Sequence, residues 1–141
     1  MNTPNGTPVP VEVRTWELSP QEIQYLDNLA TTLFPNATLL RSSTRKYNCH
    51  SYAWHNQSAS NDKWMVDPSD YWLDGSYQLQ STAQAGDKVY YDVASSHSAI
   101  VDSVGTETYF VSKWGPGPLM RHTPTDCPYD HNPSDLRYYR R

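Results

Sequence analysis

Apolar positions recur at helical spacing over only one long stretch of the chain. Ile23, Leu26, Leu29, Ala30 and Leu33 follow one another at intervals that place them on one face of an α-helix. The run opens on Ser19-Pro20-Gln21-Glu22, a capping box with proline at the first helical position, and Pro35 stops it. Further along, the signals are those of strands. Gly86-Asp87 turns the chain into a strand over Lys88, Val89, Tyr90 and Tyr91, and Ser95-Ser96 leads into another at His97-Ser98-Ala99-Ile100-Val101. Gly105-Thr106 is placed to close a hairpin to a third strand, Thr108 to Trp114.

Three stretches carry no such period. Met1 to Thr15 is rich in Pro, Thr and Asn and predicts a flexible N-terminal arm, which leaves residues 16–141 as a single domain. Lys63 to Tyr77 interleaves Trp64, Tyr71, Trp72 and Tyr77 with Asp67, Asp70 and Asp74, and proline and glycine break it into an ordered loop with short turns. Beyond Gly115-Pro116-Gly117-Pro118 the chain is punctuated by proline, and its pattern assigns no element either way.

A second, short helix is signalled by its cap alone. Asn48 suits an N-cap, and Ser51, Tyr52, Ala53, Trp54 and His55 continue a helix of two or three turns. Cys49 then falls in the first turn, where exposed N–H groups and the positive end of the helix dipole favour thiolate over thiol. His97, far away in sequence, opens a strand. A thiol at a helix start and an imidazole at a strand start suggest a cysteine hydrolase whose nucleophile and base meet on folding. His97 would take the thiol proton and return it to the leaving amine. The N–H of Cys49, with a second donor from Tyr47 or Asn48, would hold the oxyanion.

A third group should orient the imidazole, and hairpin register decides which one. A two-residue loop at Gly105-Thr106 pairs Ala99 with Ser112 and puts Ser112 on the face of His97, whereas a three-residue loop pairs Ala99 with Lys113. Both stay candidates, with His122 a third. Each of these residues also has a plain structural reading: a small buried thiol, a satisfied strand histidine, an ordinary surface position.

Composition narrows the classes. With 141 residues the chain can bury one core, and with 11 Tyr and 5 Trp against 2 Phe, rings with polar tips should build it. A net charge of −4 without a basic run beyond Arg140-Arg141 argues against nucleic-acid binding. No stretch has the length of a membrane span, and Met1 to Arg14 lacks the apolar core of a signal peptide, so the expectation is a protein made in the cytoplasm and delivered by another apparatus or within a larger protein. Two cysteines, Cys49 and Cys127, are no disulfide framework for a chain of this size. Cys49, His50 and His55 lack a spacing that converges on zinc, and the Asp67, Asp70, Asp74 run does not match a calcium loop. No cofactor is implied.

Cys49-His50-Ser51-Tyr52-Ala53-Trp54 is similar to the C-x-x-Y-x-W helix of the CHAP domains, cysteine- and histidine-dependent amidohydrolases related to the NlpC/P60 peptidases. Gly86-Asp87-Lys88-Val89-Tyr90 and then His97-Ser98-Ala99-Ile100-Val101 resemble that family's G-D-x-V and H-x-A-I-V strands in the same order, over about Tyr47 to Trp114. The resemblance implies an α+β, papain-like core of NlpC/P60 type, with a cysteine-bearing helix packed on a small antiparallel sheet. It implies cleavage of amide bonds in bacterial peptidoglycan, with Cys49 as nucleophile and His97 as general base. Tyr47, Asn48, Trp54 and Trp114 are the oxyanion or substrate-binding candidates. The third position departs from the family, which offers Glu or Asn where this chain has Lys113, a cation that would oppose an imidazolium. A delivered antibacterial effector or lysis enzyme, with a partner immunity or inhibitor protein, fits this reading. Two others stand beside it: a papain-like protease, deamidase or acyltransferase toxin acting on a protein, and a catalytically silent binding module with Trp64, Trp72 and Trp114 lining a groove.

Overall fold

The computed structural model describes Met1 to Arg141 and has an α+β architecture. In chain order its elements are β1 (Val11–Val13), α1 (Pro20–Leu33), β2 (Thr38–Arg41), α2 (Cys49–Trp54), β3 (Lys63–Met65), α3 (Asp70–Leu73), β4 (Gln78–Gln80), β5 (Lys88–Tyr91), β6 (His97–Ser103), β7 (Tyr109–Lys113), β8 (Leu119–His122) and β9 (Leu136–Arg140). Seven strands form one antiparallel sheet in the order β2-β8-β7-β6-β5-β9-β4, and β1 pairs with β3 apart from it. None of the helices is long and apolar enough to cross a membrane.

Local chemistry sets the first helix. Ser19 accepts from the Glu22 amide at 3.2 Å while the Glu22 carboxylate accepts from the Ser19 amide at 3.0 Å, so the capping box closes in both directions. Of the apolar face only Ala30 is buried, packed with Phe34 on the sheet. Leu29 and Leu33 stay exposed along a groove of about 180 Å³ shared with Trp114, Pro116 and Pro128.

Strand alternation divides the core into two layers. Val89, Tyr91, Ala99, Val101, Phe110 and Met120 point to the α1 side, together with Trp114 and Cys127. On the opposite side Ala53 and Trp54 of α2 pack with Val9, Met65, Tyr71 and Tyr139, and Tyr47 and Tyr52 pack with Val111 and Leu119.

Two expectations need correcting, and one stretch left unassigned proves to be ordered. The first fifteen residues do not project as an arm: Val11 pairs with Met65, Val9 and Thr3 are buried, and the Thr3 hydroxyl donates to the Asp74 carboxylate. The docking surface for that segment is a strand and a turn inside the stretch read as a loop. The tail beyond Gly117 is also built: β8 joins β7 to β2, and β9 inserts between β5 and β4. Its prolines lie between the strands, so they do not interrupt the ladders. The helix at Cys49 is shorter than expected, ending at His55 after under two turns.

The hairpin after β6 follows neither loop length. Ser103 pairs with Tyr109, so the loop runs from Val104 to Thr108, and a register shift between Val101 and Ser103 then brings Ile100 opposite Val111. Continued one step, that register sets Ala99 opposite Ser112. The bulge, not the turn, fixes which residue shares the face of His97.

Candidate active site

Cys49 is the first residue of α2, behind the Asn48 cap, on the floor of a cleft of about 310 Å³. Asn48, His50, Trp64, Val66, Ser95, Ser96, Gly115 and Tyr129 form the rest of its lining. The cleft exists because β6 and β7 separate at this end. Their ladder begins only at Ile100 and Val111, and since the Val101 amide points to β5, alternation turns the Ser98 amide toward the vacated β7 side. That N–H, with those of His50 and Cys49, favours a thiolate at Cys49. Burial outweighs them. It pushes the thiol up to about 11, so the depressed value expected from the helix start is not found.

His97 lies on the other layer. Ser98 faces α2, receiving a hydrogen bond from Trp54 Nε1 at 3.0 Å, so strand alternation turns His97 toward the α1 side. There its ring meets Tyr91 edge-on with centroids 5.0 Å apart and stacks on Tyr129 at 3.6 Å and 8°. Neither ring nitrogen has a hydrogen-bond partner, although the residue is fully buried. Desolvation, helped by His122, His50 and His131, holds the imidazole well below its usual range and therefore neutral. The expected thiolate–imidazolium pair is not found in this arrangement, in which His97 turns to the α1 side and burial keeps both groups uncharged. One ring touches both halves, since Tyr129 lines the Cys49 cleft and covers His97.

Neither orienting candidate bonds to His97. Ser112 does share its face, but the Ser112 hydroxyl is engaged elsewhere. His122 Nδ1 lies 2.7 Å from the Thr123 carbonyl, which can only accept, so Nε2 carries the lone pair and Ser112 Oγ donates to it at 2.7 Å. Trp114 Nε1 donates to the same oxygen at 3.0 Å. Lys113 is on the α2 layer. Its buried Nζ donates to the carbonyls of Thr44, at 2.7 Å, and of Gly115, and sits 5.1 Å from the Tyr47 ring centre. Burial brings the amine down to about 7, while the charge of Cys49 acts upward. Lys113 is thus held by backbone carbonyls on the α2 layer and is not a partner of His97.

The remaining candidates are mostly structural. Asn48 lines the cleft, but its Oδ1 accepts from the amides of Ser51 and Met65, each at 3.1 Å, and its Nδ2 donates to the Met65 carbonyl at 2.6 Å. That leaves Asn48 one Nδ2 hydrogen beyond the bonds that fix it as the cap. Tyr47 is buried beneath Lys113, Trp54 is the hub of an aromatic cluster with Tyr71, Trp72, Tyr77 and Tyr139, and Trp114 faces α1 and packs on Phe34. None of the three lines the cleft.

Sequence reasoning passed over His50 and Tyr129. His50 follows the cysteine directly, which was a usable signal, but weighing it only as a metal ligand hid it. Tyr129 sits in the proline-punctuated tail, where no period reports what a side chain faces. Cys49 and Cys127 are both free thiols, and no cluster of His, Cys, Asp or Glu is arranged to hold a metal ion. No family model, no curated protein and no solved structure matches this chain.

Proposed function

We propose that the chain is a papain-like cysteine amidohydrolase acting on amide bonds of bacterial peptidoglycan, with the Tyr129 ring closed over His97 in this arrangement. The observation that carries this reading is the placement of Cys49 on the floor of an open cleft, with Tyr129 forming one wall and lying flat on His97. A buried imidazole with two unpaired nitrogens is costly, about 1–3 kcal/mol for each unsatisfied group, and a packed structural histidine would be expected to find partners. Displacing the Tyr129 ring, which touches both, would open His97 to the Cys49 cleft, and a base that meets its proton donor only then has reason to lack other partners.

In the open form the Cys49 sulfur attacks the scissile carbonyl. The C–S bond forms, the carbonyl π pair moves onto oxygen, and the thiol proton passes to His97. Collapse expels the amine, which takes that proton, and water then releases the acyl group to restore the thiol. The peptidoglycan substrate rests on the sequence resemblance of the Cys49 helix and the His97 strand.

The decisive experiment digests purified sacculi with the wild type and with Cys49→Ala and compares fragments by mass spectrometry. Fragments released only by the wild type support the hydrolase and name the bond by their masses. Identical profiles remove it. One alternative has its own observation: the protonated thiol and the His97 ring turned to the opposite layer suit a silent module of the same fold. For that module, Cys49 alkylation by iodoacetamide keeps one high apparent pKa whether or not sacculus fragments are present.

A further inference from the structure

The hydrogen bonds around Ser98 fix the proton on a neighbouring histidine. Trp54 Nε1–H can only donate, so Ser98 Oγ accepts from it at 3.0 Å. The other partner of Ser98 Oγ is His50 Nδ1, at 2.7 Å, and both side chains are buried. If Nδ1 carried the proton, the Ser98 hydroxyl hydrogen would have nowhere to go in a dry site, which is disfavoured by the cost of an unmade buried bond. Ser98 therefore donates to Nδ1, and the ring hydrogen sits on Nε2.

Nε2 faces the Cys49 cleft. Its partner there is Ser96 Oγ at 3.4 Å, a long and weak contact, and both His50 and Ser96 line the cleft with the cysteine. Desolvation lowers the imidazole to about 4, with Asp67 opposing, so the ring stays neutral and keeps a single, directed donor at neutral pH. Tyr47 does not line the cleft, and the Asn48 amide, though it keeps one Nδ2 hydrogen, is fixed by its bonds to Ser51 and Met65.

We infer that His50 is a neutral hydrogen-bond donor into the Cys49 cleft, held in its Nε2–H form by the Trp54–Ser98 relay, and placed to bind the oxyanion of an acyl substrate. The catalytic half of this inference rests on the hydrolase reading; the tautomer does not. A neutral donor suits the task because it gains strength as charge develops on the oxygen and needs no proton of its own to be lost. An incoming carbonyl oxygen replaces the weak Ser96 contact with a short one.

Two measurements test it. Nitrogen-15 spectra of histidine-labelled wild type, with His50 assigned by the signal lost in His50→Gln, should show the Nε2–H tautomer from pH 6 to 8. His122, whose Nδ1 donates to Thr123, should show the opposite tautomer in the same spectrum. An Nδ1–H or a protonated His50 at neutral pH overturns the inference without any turnover assay, and without touching the hydrolase reading. On sacculi, His50→Leu should lower kcat about 100-fold with KM and the Cys49 alkylation rate little changed, while His50→Gln, which keeps a donor, should recover part of the loss. An unchanged kcat in His50→Leu overturns the oxyanion role. Inactive wild type dismisses the hydrolase, and with it that role, leaving the spectrum to decide the donor.

Discussion

His97 is the residue at which stability and function pull apart. A fully buried imidazole with both nitrogens unpaired destabilises the fold, while its stacking on Tyr129 and edge contact with Tyr91 are open to any aromatic ring. His97→Phe keeps the stacking and removes the unpaired atoms. We expect it to raise the unfolding free energy by about 1–2 kcal/mol in urea titrations while abolishing sacculus cleavage. A loss of stability would mean that the ring has a structural partner after all. Lys113 presents a second case, a buried amine that burial brings down to about 7, so that it is neutral in the range where the Cys49 thiol, pushed up to about 11, titrates. Lys113→Met should therefore leave the apparent pKa of Cys49 alkylation unchanged. A rise of about one unit would show that the amine keeps its proton beside the thiol and favours the thiolate.

At the scale of elements, what was legible in the sequence was whatever the chain decides locally. The Ser19–Glu22 box, the Asn48 cap and the starts of β5 and β6 each depend on residues a few positions apart, and each forms where the sequence places it. The register of β6 on β7 was not legible, because it depends on a bulge at Asp102 that no turn residue announces. The state of Cys49 was misread for the same kind of reason: the helix start is local, but the burial that overrides it comes from β3, β6 and the tail. The N-terminal segment was missed because its partners, Met65, Asp74 and Ser76, lie more than fifty residues away. Asp74 concentrates those contacts, and hydrogen bonds from Thr3, Thr7 and Ser76 hold its carboxyl far below the usual range. Asp74→Ala should therefore open residues 1–15 to limited proteolysis that the wild type resists. Equal cleavage rates would mean that the β1–β3 ladder holds the segment without help.

Across the whole molecule, buried bases outnumber buried carboxylates, with His50, His97, His122 and Lys113 against Asp87, and this sets an unusual dependence of stability on pH. His50 and His122 are each lowered from 6.5 to about 4 by burial, and burial holds His97 well below its ordinary value too. Between those limits the unfolded chain binds protons that the native state refuses, so stability is fully present above 6.5 and drains away as the pH falls toward 4. Counted at full, each of the two is worth roughly 3 kcal/mol. Lys113 extends the rise: with its amine brought from 10.5 to about 7, the native state again binds fewer protons from neutrality upward, and stability keeps climbing. The two thiols end it. Cys49, raised from 9.0 to about 11, and Cys127, also raised by burial, keep protons that the unfolded chain loses above 9; together they outweigh the single proton that Lys113 lacks, so stability turns down there, and the raised Tyr91 and Tyr129 steepen the fall. Urea midpoints measured from pH 4 to 10 should thus peak near about 9, on the alkaline side of the usual range of maximal stability. In Lys113→Met the rise between 7 and 9 should flatten while the acid limb persists, because the histidines that make that limb are untouched. A wild-type maximum at pH 5 or 6 would mean that these groups reach solvent in the native state and that the layers around Cys49 and His97 are not dry.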